Sequence, residues 1–187
     1  MSTAHIDTFA ARNLPPPELL PEFLFDAPEL QFPEQLNCAT ELLDRWVERG
    51  QGDRLCIQGT NVRWSYAQLQ AQANRIARVL VEDMGLVPGN RVLLRGANSP
   101  MLAACWFAVV KAGGIAVGSM PLLRAKELTQ IVTKAEISHA LCDARLAEEL
   151  ALAARPARRS RRCCTSFRRT LASSMRAPRP SRRRSRT

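Results

Sequence analysis

The segment Arg91–Cys142 constrains this chain more than any other stretch. It reads RVLLRGANSPMLAACWFAVVKAGGIAVGSMPLLRAKELTQIVTKAEISHALC, and short apolar runs alternate in it with turn residues. Arg91–Leu94 has the length of a strand, and Asn98-Ser99-Pro100 marks a turn running into a helix. Ser99 suits the capping position and Pro100 the first helical position, where a missing N–H does no harm. The apolar run from Met101 to Ala112 stops at Gly113-Gly114, and a second strand-length run, Ile115–Val117, follows at once. A helix over Arg124–Ala135 and a strand over Ser138–Leu141 repeat the unit. Strand, crossover helix, strand is the βαβ signature of a parallel sheet, so the expected fold class is α/β, a parallel βαβαβ sheet.

Charge divides the chain in two. A formal net charge of +10 points towards nucleic acid or an anionic membrane as partner. However, residues 1–154 carry 14 Lys+Arg against all 17 Asp+Glu, whereas residues 155–187 carry 13 Arg and no acid. The basicity belongs to the C-terminal segment and gives no reason to expect polyanion binding by the body.

The six cysteines, at 38, 56, 105, 142, 163 and 164, form no C-x-x-C pair, and only His5 and His139 are available beside them. A zinc site therefore has little support. Cys56, Cys105 and Cys142 sit inside apolar runs, where a thiol serves as a small hydrophobe and a reducing compartment is implied. No basic n-region precedes an apolar run at the N-terminus, so no secretory signal is expected. Met101–Leu123 is the most apolar segment, but Lys111, the glycine pair and Pro121 interrupt it short of the roughly 20 residues a membrane span needs. A soluble cytoplasmic protein without a membrane partner is the expectation.

In chain order, residues 1–36 hold Pro15, Pro16, Pro17, Pro21, Pro28 and Pro33, with Phe23, Phe25 and Phe32 between them. Proline at this density forbids a long helix or a central strand, so an extended arm is expected, its aromatics docked on the body. The competing reading is a polyproline ligand, Leu14-Pro15-Pro16-Pro17 flanked by Arg12. Asn37–Arg49 has helical spacing, with Asn37 as cap and Leu42, Leu43, Trp46 and Val47 on one face. Leu55–Gln58 and Val62–Trp64, separated by Gly59-Thr60-Asn61, have the pattern of a hairpin. Ser65 caps a helix to about Met84, with Tyr66, Leu69, Ala73, Ile76, Leu80 and Met84 on its apolar side, and Gly85 ends it. On the other side Arg75 and Arg78 have the spacing of a ligand-binding pair, though a solvated face produces the same spacing.

Four motifs together carry a resemblance: Trp64-Ser65-Tyr66-Ala67-Gln68-Leu69, Asn74-Arg75-Ile76-Ala77, Gly85-Leu86-Val87-Pro88-Gly89-Asn90-Arg91-Val92 and Lys111-Ala112-Gly113-Gly114. In this order they resemble the N-terminal part of the acyl-adenylate-forming enzymes, the AMP-forming acid–CoA ligases. The proline-rich opening and the run from Asn98 to Trp106 resemble the benzoate and 2-aminobenzoate CoA ligase branch. The resemblance extends over about residues 5–154 and implies a partial N-terminal domain over 37–154. It also implies that the full-length family joins an acid to CoA with ATP, Mg²⁺ and CoA as cofactors and a small-molecule substrate. The phosphate loop with its lysine, the adenine and ribose motifs, the Mg²⁺-positioning acid and the C-terminal lysine of that family have no counterpart here. Lys111-Ala112-Gly113-Gly114 places its lysine before the glycines at a helix end, which suits a helix stop and not a phosphate cradle. No catalytic, cofactor-binding or metal-binding residue is therefore assigned. An incomplete sheet would present an unpaired edge and poor solubility.

After Ala154 the acids and the apolar periodicity vanish together. Composition of this kind does not bury enough surface to offset chain entropy, and disorder is expected over 155–187. The favoured origin is a GC-rich coding region read in a shifted frame, which resequencing of the locus tests. The alternative is a non-enzymatic nucleic-acid-binding protein using an Arg-rich arm, for which the segment offers the aromatic Phe167 and no other. Incidental polyanion binding by the arginines is compatible with both.

Overall fold

All five residues of the strand Arg91–Arg95 (β3) are buried, and the fold is arranged around them. The structure is a computed structural model and describes residues 3–59 and 61–154; the C-terminal segment, with the disorder expected for it, lies outside the described residues. β3 pairs in parallel with Ile115–Ser119 (β4) on one side and with His139–Cys142 (β5) on the other, in the order β4-β3-β5. Register runs Arg91↔Ile115 to Arg95↔Ser119 and Val92↔His139 to Arg95↔Cys142. The parallel α/β sheet expected from the sequence is thus present, with β3 in the middle.

Successive side chains of a strand face opposite ways, and β3 shows how both faces are covered. Val92 and Leu94 enter a core with Leu69, Ala73, Ala104 and Ala108, supplied by the helices Tyr66–Arg78 (the second, α2, after the single turn Phe9–Arg12, α1) and Pro100–Lys111 (α3). Leu93 enters a second core with Val132, Ile137, Cys142 and Leu150, supplied by Ala125–Lys134 (α4) and Ala147–Ala153 (α5). Two helices on each face make three layers, and a β3 apolar on both faces is the continuous run that a buried parallel strand requires.

Local signals act where the sequence places them. Ser65 and Gln68 form a reciprocal capping box at the start of α2, Gln68 N donating to Ser65 Oγ and Ser65 N to Gln68 Oε1. Ser99 accepts from Leu102 N, and Pro100 opens α3. Gly85 and Gly113 hold φ of +68° and +77° as helix stops. Ser65→Ala should lower stability by about 1 kcal/mol, the usual value of a helix cap; chemical denaturation measures it. The Leu55–Gln58 (β1) and Arg63–Ser65 (β2) strands form the expected antiparallel pair. Among the described residues no helix is long and apolar enough to cross a membrane.

Two expectations are corrected. The helix after Asn37 is wound in a wide π-type turn over Thr40–Asp44, and Gly50, at φ +73°, breaks the helical path within Val47–Gln51, where the sequence ends the helix. Wider winding shifts the 3.6-residue period, so Leu43 is buried whereas Leu42, expected beside it, is 54% exposed. Asn37 does cap it, accepting from Ala39 N at 2.9 Å. Secondly, the arm does not dock its aromatics on the body: every residue from 11 to 36 is exposed. The rings instead close on one another, Phe23 stacked on Phe25 at 6.0 Å and Phe25 edge-on to Phe32 at 6.1 Å. Residues nearer the N-terminus hold the arm instead. Ile6 N and Asp7 N donate to Pro88 O, Asp7 accepts from Asn90 and pairs with Arg91, and the Phe9 ring covers the Arg91 guanidinium at 4.5 Å.

Candidate functional site

In an open parallel sheet, ligands bind in the crevice beyond the carboxyl ends of the strands. Here that end is organised by Arg95, the last residue of β3 and 1% exposed. Its guanidinium donates to the carbonyls of Met120 (3.0 Å), Pro121 (3.1 Å) and Leu123 (2.8 Å), and more weakly to that of Leu146 (3.5 Å). The loop after β4 and the turn before α5 are thereby tied to the end of the central strand. The charge is spent on backbone and faces no open space unpaired.

Three clefts meet there. One of about 300 Å³ lies between the start of α3 and the Asp143 turn, with Ser99, Cys105, Cys142 and Arg145 in its wall. A second, of about 260 Å³, lies beside Arg124, Arg145 and Glu149. A third, wide open and about 680 Å³, runs past Asn98, Trp106 and Met120. Two arginines in their walls are matched by nearby carboxylates. Arg145 pairs with Asp143 at 2.7 Å, and its hydrogen bonds hold that carboxyl down at about 2. Arg124 pairs with Glu149 at 2.9 Å, and that bond with the Ala125 amide lowers the glutamate below its ordinary value.

The nucleophile candidates are quiet. Burial pushes both Cys105 and Cys142 up to about 11, and each is 2% exposed. A thiol reacts as its thiolate, so native-state alkylation with iodoacetamide, mapped by peptide mass, should modify exposed Cys38 at least about tenfold faster than either. His139 sits at the opposite, amino end of β5, its Nε2 3.1 Å from Met84 O and its Nδ1 2.8 Å from Ser138 Oγ. It belongs to a junction between elements. Among the described residues no group of three or more His, Cys, Asp or Glu is placed to hold a metal.

Among the described residues no lysine lines these clefts. The chain has three lysines. Lys111 is paired with Asp44 at 2.7 Å, and Lys126 and Lys134 are exposed on α4. Gly113-Gly114 precedes β4, at the amino ends of the strands, away from the clefts. A Cβ on Gly113 would touch Pro88 at 3.1 Å and one on Gly114 would meet Val109 at 3.0 Å, so the pair serves close packing of helix against turn. Arg75 and Arg78 are exposed, and Arg78 lies 3.7 Å from Glu82, as on a solvated helix face. Arg95, Asp143 and Arg145, which shape the strand ends, were not singled out by the sequence. In a chain so rich in arginine, only the position of β3 distinguishes Arg95 from the rest.

Comparison with known proteins agrees with this architecture. The family model described as AMP-binding enzyme matches residues 43–184, running past Ala154, where the sequence resemblance was expected to stop. The salicyl-AMP ligase / salicyl-S-ArCP synthetase of Mycobacterium tuberculosis (strain ATCC 25618 / H37Rv) is 44% identical over 88 residues, which are 45% of this chain and 15% of that protein. Among solved structures, the anthranilate CoA ligase AuaEII in complex with anthranoyl-AMP superposes with a TM-score of 0.58 at 23% identity, over 65% of this chain and 22% of that one. ATP-bound MatB from Rhodopseudomonas palustris gives 0.57 at 31% identity, over 63% of this chain and 23% of that one. This chain thus spans under a quarter of each of these relatives. With a family model matched over well more than half its length and the strand order and clefts described above, the chain belongs to the AMP-binding enzyme family, the adenylate-forming acid ligases.

Proposed function

We propose that residues 37–154 are the structural N-terminal part of an AMP-dependent ligase for an aromatic acid such as benzoate or 2-aminobenzoate, and that this chain by itself is catalytically silent. In the full-length family the acid and ATP give an acyl-adenylate and pyrophosphate, and CoA then takes the acyl group with release of AMP. One observation carries the silence. The clefts at the strand ends are walled by arginines already bound to carbonyls or carboxylates, with no lysine beside them. Such walls shape a space and supply no charge for a triphosphate. The aromatic preference is supported by the 44% identity to a protein named for salicyl-AMP formation.

The silence is tested by incubating the chain with ATP, Mg²⁺, CoA and benzoate or 2-aminobenzoate. No pyrophosphate and no thioester should form; turnover above the enzyme-free rate would refute it. The aromatic assignment is tested separately by exchanging residues 37–154 into an anthranilate CoA ligase. Retained activity on 2-aminobenzoate supports the assignment, whereas a folded but inactive chimera, or one turned to aliphatic acids, refutes it.

A further inference from the structure

The arm over residues 13–36 remains unexplained by the ligase reading. It carries Glu18, Glu22, Asp26, Glu29 and Glu34 and no Lys, Arg or His. Every residue of it is exposed, including Leu19 (73%), Phe23 (54%), Leu24 (68%) and Phe32 (59%). Apolar area of this extent on a segment with a row of exposed carboxylates is a surface suited to a ligand that is both cationic and able to lie on aromatic rings. Prolines deny it the regular N–H row that adding a strand needs, so side-chain charge and ring faces must do the binding.

We propose that the occupant is the chain's own C-terminal segment, 155–187, and that the arm competes with external polyanions for its arginines. Charge complementarity is the first ground: the arm has five acids and no cation, the segment 13 arginines and no acid. Chemistry is the second. Guanidinium groups pair with carboxylates in a bidentate fashion and stack on aromatic faces, and the arm offers both, its Phe23, Phe25 and Phe32 rings being grouped together. Reach is the third. A random chain of 33 residues would span about 30 Å root-mean-square, the size of a small domain, so the length of the segment allows its arginines to meet the acids of the arm. The inference does not depend on the ligase reading or on how the basic segment arose, since the charge acts in either case.

The test measures binding of a fluorescein-labelled dT20 oligonucleotide to the full chain at about 50 mM salt, where contacts to phosphates are strongest. The arm variant combines Glu18→Gln, Glu22→Gln, Asp26→Asn, Glu29→Gln and Glu34→Gln, all exposed positions that no core residue depends on. The matched control makes the same charge change at exposed positions elsewhere: Glu48→Gln, Asp53→Asn, Glu82→Gln, Asp83→Asn and Glu148→Gln. The arm variant should bind about tenfold tighter than the parent and the control less than about threefold tighter. Equal tightening in both would show that net charge alone acts, and no tightening in the arm variant would show that the arm does not hold the segment. Either result overturns the proposal. So would a gain that disappears on dilution of the protein, because the arm would then be occupied by a second copy.

Discussion

Arg95→Met should destabilise the fold by about 3–5 kcal/mol, among the largest losses available to a single substitution here. Methionine keeps part of the aliphatic stem and removes every donor. The carbonyls of Met120, Pro121 and Leu123 lose their guanidinium together, and a buried acceptor left unmatched costs about 1–3 kcal/mol. Urea unfolding followed by circular dichroism measures the loss. A change below about 1 kcal/mol would mean that water enters and replaces the guanidinium, and the clefts would then be more open than described. Amide exchange in Met120–Leu123 should also accelerate relative to α3, because that loop is tied down through this one side chain.

The second large effect is expected at the opposite end of β3. Gly89 has φ +91°, and a Cβ there would lie 2.2 Å from the carbonyl oxygen of Asp7 and 2.9 Å from Cβ of His5. Gly89→Ala combines a strained backbone with a collision that only departure of the N-terminal strap relieves. The expected loss is about 2–3 kcal/mol. The amides of Ile6 and Asp7, both bound to Pro88 O, should lose their exchange protection while α2 and α3 keep theirs. Full protection at Ile6 and Asp7 in the variant would refute the account.

Acid titration provides an independent check on the same strap. Burial pushes the Asp7 carboxyl up, but hydrogen bonds from the Phe9 amide, Arg91 and Asn90, with the Arg91 charge, outweigh it, and the net displacement is below the ordinary 3.8. A carboxyl lowered by folding contributes stability that is fully present above its unfolded pKa and is lost as pH falls through the lower folded one. Asp7→Asn should therefore flatten the dependence of stability on pH below about 4. Parallel pH profiles for parent and variant would indicate that Asp7 is not paired in solution.

Elements whose signals are local were legible from the residues. Ser65, Ser99 with Pro100, and the glycines at 85 and 113 act within a few residues of themselves, and each stands where expected. β3, β4 and β5 were legible because each carries a short apolar run bounded by turn or polar residues. The π winding after Asn37 was not, because nothing in TELLD distinguishes a wide turn from a normal one. The fate of Phe23, Phe25 and Phe32 was not legible either. Apolar composition demands cover without naming its source, and three rings near one another in sequence cover themselves in part.

What the residues determined by themselves is the class of fold, the succession of strand and helix from Arg91 to Cys142 and the separation of charge between body and C-terminal segment, all properties of neighbours along the chain. Only the tertiary structure decided that β3 lies between β4 and β5, that its two terminal arginines are buried, and that Arg91 holds Asp7 and Phe9 near the N-terminus while Arg95 holds the loops at the carboxyl ends. The physical reason is that a buried guanidinium requires acceptors from several distant segments. For Arg95 these lie 25 to 51 residues further along the chain, and no local pattern announces a partner at such a distance.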